Sequence, residues 1–122
     1  MHIGNHIVTT ALENLQKNTS LIGVWKIAAN DKKIDGQVNI YFKNGSQRFI
    51  VECKREIRKQ NLPALIEAKK RQENILAIAE NIYPKEELRK AGINYLDVAG
   101  NAFIETIDHF VFENTKGCPI AA

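Results

Sequence analysis

Asn44-Gly45 sits between two runs of alternating apolar and polar residues, and that arrangement admits few folds. Asn-Gly is the strongest short-range hairpin signal, because a two-residue type I′ turn needs positive φ at both positions. Residues 34–43 and 46–54 therefore read as paired antiparallel strands. With Lys43 opposite Ser46, Asp35 is expected across from Lys54 and Gln37 across from Glu52. One face then carries Val38, Ile40, Phe42, Phe49, Val51 and Cys53, an apolar set suited to a core. The other carries Asp35, Gln37, Asn39, Tyr41, Arg48, Ile50, Glu52 and Lys54. Strand residues two apart share a face, so Asp35, Glu52 and Lys54 are expected to converge at one end of the hairpin.

Two carboxylates and the backbone carbonyl of Cys53 would suit a hard cation such as Mg²⁺ (or Mn²⁺), which prefers oxygen ligands. Such a cation polarises a phosphate and acidifies a bound water for in-line attack. Lys54 would orient that water or neutralise charge developing on phosphorus. The competing reading is a solvated sheet face with an Asp–Lys cross-strand pair, worth about 0.2–1 kcal/mol. The apolar face is already complete without Asp35, Glu52 or Lys54, which favours the metal-site reading.

The rest of the chain organises around this hairpin. Ile7, Val8, Ala11, Leu12 and Leu15 form one apolar stripe and predict a helix over 5–18. Residues 21–29 read as a first strand. Pro63 suits the first turn of a helix running to about Gln72, with Leu62, Leu65 and Ile66 facing inward. Residues 74–79 read as a buried strand, parallel to a neighbour because a helical crossover precedes it. Pro84 opens a short helix that Gly92 stops. Residues 93–98 and 102–106 pair around Gly100-Asn101, where turn chemistry accounts for Asp97 and Asn101, and 110–113 supply an edge strand.

In this order of elements, Asp35 followed by Val51-Glu52-Cys53-Lys54 resembles the PD-(D/E)xK nuclease superfamily, with Ile34 where the motif has Pro. The resemblance implies an α/β fold with a restriction-endonuclease-like core (α-β-β-β-α-β) and a mixed sheet flanked by helices. An α-β-β extension would follow at the C-terminus. A closer resemblance is to the nuclease-like domain of AbiEi-type (type IV toxin–antitoxin) antitoxins. It is carried by Val51–Lys54, by Leu62-Pro63-Ala64-Leu65-Ile66-Glu67 and by Tyr95-Leu96-Asp97-Val98-Ala99-Gly100-Asn101. It implies one domain over 1–115, with 116–122 leading toward a winged-helix region that these residues do not contain. The superfamily resemblance also implies Glu13, at the border of the first-helix stripe, as a further metal ligand. Two functions follow as expectations: a Mg²⁺-dependent nuclease acting on nucleic acid, DNA in preference to RNA, or a catalytically silent DNA- or protein-binding domain of an antitoxin-like regulator.

Composition narrows the setting. At 122 residues, with 44% hydrophobic and 25% charged residues, this is an ordinary globular domain. No apolar stretch is long enough for a membrane span, and the expected location is the cytoplasm. The cysteines, Cys53 and Cys118, have no metal-ligand spacing. Net charge is only +3, but seven basic residues (Lys54, Arg55, Arg58, Lys59, Lys69, Lys70 and Arg71) face three acidic ones between Lys54 and Glu73. Arg55, Arg58, Lys59, Lys69 and Lys70 are thus expected to meet a phosphate backbone. A solvated helix face explains the same run equally well. His2 and His6 are incidental, Trp25 belongs to the core, and a homodimer through 110–113 is the remaining assembly expectation.

Overall fold

The computed structural model describes residues 3–27, 36–72 and 74–113. In chain order the elements are α1 (Ile3–Thr19), β1 (Ile22–Ile27), β2 (Gly36–Phe42), β3 (Gly45–Ile57), a 3-10 turn (Lys59–Asn61), α2 (Leu62–Arg71) and β4 (Ile75–Ile82). There follow α3 (Lys85–Lys90), β5 (Asn94–Asp97), β6 (Ala102–Glu105) and β7 (Phe110–Glu113). The seven strands form one mixed sheet in sequence order, β1 through β7. β1, β2 and β3 are an antiparallel meander, β3, β4 and β5 are parallel, and β6 and β7 return antiparallel. The α/β class, the parallel β4 and the edge strand at β7 agree with the sequence reading.

Two cores lie on the two faces of the sheet. Ile7, Val8, Ala11, Leu12 and Leu15 of α1 pack on Val38, Ile40, Phe49, Val51, Leu76 and Ile78, with Trp25, Phe42 and Cys53 at the margin. This is the apolar face expected of the hairpin. On the opposite face, Leu65 of α2 and Leu88 of α3 pack with Ala77 and Ala79 of β4, Tyr95 of β5 and Phe103 of β6. The alanines give α2 room to approach the sheet. α1 ends where Thr19 Oγ1 donates to the Leu15 carbonyl and Ser20 turns left-handed at φ 68°.

Two expectations are corrected here. The hairpin turns on Lys43-Asn44, and Gly45, at φ +146°, becomes the first residue of β3, opposite Phe42. Gln37 therefore lies across from Ile50 rather than Glu52. The shift amounts to two residues, so every side chain keeps the face assigned to it. Glycine permits this because that φ is open to it and strained for other residues. In α2, Leu65 and Ala68 are buried while Ile66 is exposed. Each helical residue turns about 100°, so the inward stripe of a short helix follows i, i+3 and leaves Ile66 outside.

Candidate active site and its surroundings

β3 positions the two central residues. Glu52 and Lys54 are half-buried, share the face opposite Cys53, and lie beside Ala77 and Ala79 of β4. The last described pair between β2 and β3 is Gly36 with Val51, and Glu52 is the next residue along β3. Asp35 itself lies outside the described residues. Cys53 directs its side chain toward the first core, so its thiol is not part of the donor set.

Glu13 is exposed on α1, which covers the face opposite the one bearing Glu52 and Lys54. The fold therefore does not bring Glu13 beside Glu52. Among the described residues, no group of three or more His, Cys, Asp or Glu side chains gathers to hold a metal ion.

The basic stretch separates into different environments. Arg55 and Lys70 are exposed. Arg58 pairs with Glu56 at 2.9 Å and lies 4.8 Å from the centre of the Tyr83 ring. Lys59 faces Glu87 at 3.6 Å. Lys69 is drawn into the fold: its ammonium donates to the carbonyls of Gly92 (2.8 Å) and Ala91 (3.3 Å), tying α2 to the end of α3. Its ammonium is thus engaged within the fold, unlike the exposed side chains of Arg55 and Lys70.

A second polar cluster closes the β5–β6 turn. Asp97 is buried, and its Oδ1 accepts from the backbone N–H groups of Ala99 and Asn101, both at 3.0 Å. Its Oδ2 accepts from the Asn101 side-chain amide at 2.9 Å and faces Lys85 Nζ at 3.0 Å. Asn14 and Asn18 of α1 donate to the Val98 and Ala99 carbonyls of the same turn. The turn chemistry of Asp97 and Asn101 is thus as expected, whereas nothing in the sequence marks Lys85, twelve positions away.

Sequence reading also missed the surface beside Glu52 and Lys54. Ile22, Val24 and Lys26 of β1 lie against Tyr41, Asn39 and Gln37 of β2, and Asn39 and Gln37 against Arg48 and Ile50 of β3. Ile22, Val24, Lys26, Asn39, Tyr41 and Arg48 are all exposed. The alternation that assigned the hairpin faces contained this signal. What it lacked was the extent of helical cover. An open cavity of about 260 Å³, lined by Arg48, Ile50, Gln72 and Asn74, lies where this surface meets the end of α2.

No protein-family model, curated protein or solved structure matches this chain. No helix among the described residues is long and apolar enough to cross a membrane.

Proposed function

We propose that this chain is a Mg²⁺-dependent nuclease domain that hydrolyses phosphodiester bonds of nucleic acid, with DNA the favoured substrate. In this reading α1 through β4 form a restriction-endonuclease-like core. The order of those elements supports it, as do the antiparallel meander leading into a parallel β4 and the helices on both faces. The observation that carries the reading is the pair Glu52 and Lys54 on one sheet face, immediately beyond the Gly36–Val51 pair.

Asp35 is bonded to Gly36 and Glu52 to Val51. Adjacency in sequence to that strand pair is what assigns Asp35 to the same proposed donor set as Glu52. Asp35, Glu52 and the Cys53 carbonyl are all oxygen donors, and the Cys53 thiol is turned toward the core, so the set fits Mg²⁺ or Mn²⁺. These three groups would hold the cation, with Glu13 left out by its position on the opposite layer. When bound, the cation supplies positive charge that polarises the scissile phosphate and acidifies water. Lys54, half-buried two residues from Glu52, stabilises the charge that grows on the phosphoryl oxygens. Water oxygen forms the new bond to phosphorus and gives up a proton to solvent, the P–O bond to the leaving sugar breaks, and the leaving oxygen takes up a proton.

The test is calorimetric titration of Mg²⁺ and Mn²⁺ into wild type and Glu52→Ala, with cleavage of labelled single-stranded and duplex DNA measured in parallel. Metal binding and cleavage that vanish together in Glu52→Ala, with cleavage also lost in Lys54→Ala, are the expected results. Cleavage retained by both folded variants would refute the assignment. Nucleic-acid binding with no cleavage by wild type would instead give the silent docking domain of an antitoxin-like regulator.

A further inference from the structure

The sheet face beside Glu52 and Lys54 has a composition that a hydrolytic centre alone does not require. From β1 to β3 it presents Ile22, Val24 and Tyr41 as exposed apolar groups, and Gln37 and Asn39 as amides. Its described charged side chains are Lys26, Arg48 and Lys54 against the carboxylates of Glu52 and, further along β3, of Glu56, which pairs with Arg58. The core on this face draws no residue from β1 or β2 among those described, so the surface is uncovered by α2 and α3.

We infer that this face is a platform for single-stranded nucleic acid, which it delivers to Glu52 and Lys54. The inference rests on the nuclease reading for its destination, and it names the substrate class of that site. A single strand exposes both phosphates and base faces. Arg48, Lys26 and Lys54 complement the phosphates, while the exposed Tyr41 ring offers a flat face on which an unstacked base lies, with Ile22 and Val24 as apolar ground beside it. A duplex keeps its bases stacked inside and would meet these exposed apolar groups with sugar and phosphate, gaining nothing from them. Tyr41 pairs with Ser46, six residues before Glu52 on β3, so the track from Tyr41 to the proposed centre is about 20 Å long. Arg48 lies between them, and the cavity it lines with Gln72 and Asn74 borders the same track. That spacing suits a few nucleotides held ahead of the bond to be cut.

The test uses the whole chain in EDTA and reads fluorescence anisotropy of a labelled oligothymidylate and of a blunt mixed-sequence duplex. The single strand should bind more tightly than the duplex. Tyr41→Ala should weaken single-strand binding about ten-fold, the loss expected of one stacked base, while Tyr41→Phe binds as wild type. Arg48→Ala should reduce the slope of log affinity against log salt by about 0.7, the value for one phosphate on a single strand. Both side chains are exposed, and circular dichroism would confirm that the variants fold. Failure of wild type to bind the single strand, or equal affinity in wild type, Tyr41→Ala and Arg48→Ala, would overturn the platform. So would a dimer, seen by sedimentation, that Tyr41→Ala dissociates, because the face would then be covered by a second copy. The two readings fail separately. Binding that depends on Tyr41 without any cleavage in Mg²⁺ removes the nuclease and leaves the platform. Cleavage lost in Glu52→Ala but indifferent to Tyr41 and Arg48 does the reverse.

Discussion

Asp97→Ala should be among the most damaging single substitutions outside the apolar cores. Its carboxylate accepts two backbone N–H groups and one side-chain amide in a buried turn, and it faces Lys85 at 3.0 Å. Alanine removes the acceptor of the Ala99 and Asn101 N–H groups and one acceptor of the buried Asn101 amide. A buried donor stripped of its partner costs about 1–3 kcal/mol, and the donors of one turn relax together, so the costs do not simply add. The lost ion pair contributes less, because the Lys85 side chain is 24% exposed and can recover water. Together these place the loss at about 3–4 kcal/mol, within the range for breaking a buried charged pair. Urea denaturation followed by circular dichroism measures it. With a slope of about 1–3 kcal/mol per molar urea, the midpoint should fall by about 1–4 M. Asp97→Asn retains one acceptor oxygen and should lose about half as much. Lys85→Met should cost about 1 kcal/mol or less. A loss below about 1 kcal/mol in Asp97→Ala, or Lys85→Met as costly as Asp97→Ala, would refute the claim that the turn hydrogen bonds hold this end of the sheet.

Two further substitutions test other parts of the packing. Lys69→Met should lower stability by about 1–2 kcal/mol in urea melts, because two carbonyls at the end of α3 lose a charged donor, and it should leave nucleic-acid affinity unchanged. A strong loss of affinity with unaltered stability would return Lys69 to the binding surface. Gly100→Ala should destabilise by about 2 kcal/mol or more, read as a lower thermal midpoint. Gly100 sits at φ +90°, and an added Cβ would run into the Asn18 amide and approach the Asn14 carbonyl at 2.9 Å.

Much of this fold is legible in local pattern. The parity of Val38, Ile40, Phe49 and Val51 fixes which hairpin residues enter the core, and parity survives a two-residue change of register. The register itself is not legible, since Asn44-Gly45 marks a turn without saying whether glycine occupies the turn or the first strand position. Of the candidate site, the shared face of Glu52 and Lys54 follows from their spacing. The exclusion of Glu13 does not: a helix's own periodicity says which side of it is apolar, never which face of a sheet it will cover. The internal hydrogen bonds of Lys69 were hidden for a related reason. Its partners, the Ala91 and Gly92 carbonyls, are more than twenty residues away and become neighbours only when α3 docks.

Chain handedness explains why the uncovered face lies beside Glu52 and Lys54. The connections β3-α2-β4 and β4-α3-β5 both advance in the same direction along a sequentially ordered sheet. Parallel crossovers are right-handed almost without exception, so two successive ones must place their helices on the same face. Leu65 and Leu88 accordingly meet in one core, and the opposite face is left to α1. Helices confined to crossovers that begin at β3 cover β4 and β5 and have no reason to reach back over β1 and β2. Among the described residues, that half of the face remains open beside the strand that carries Glu52 and Lys54. Because strand order never reverses, the sheet also lacks the switch point at which doubly wound folds bind ligands beyond their strand ends. The available concave ground lies instead where the antiparallel meander meets the first parallel strand. On the proposed platform, a strand entering from the Tyr41 end would pass Arg48 before it reached Glu52.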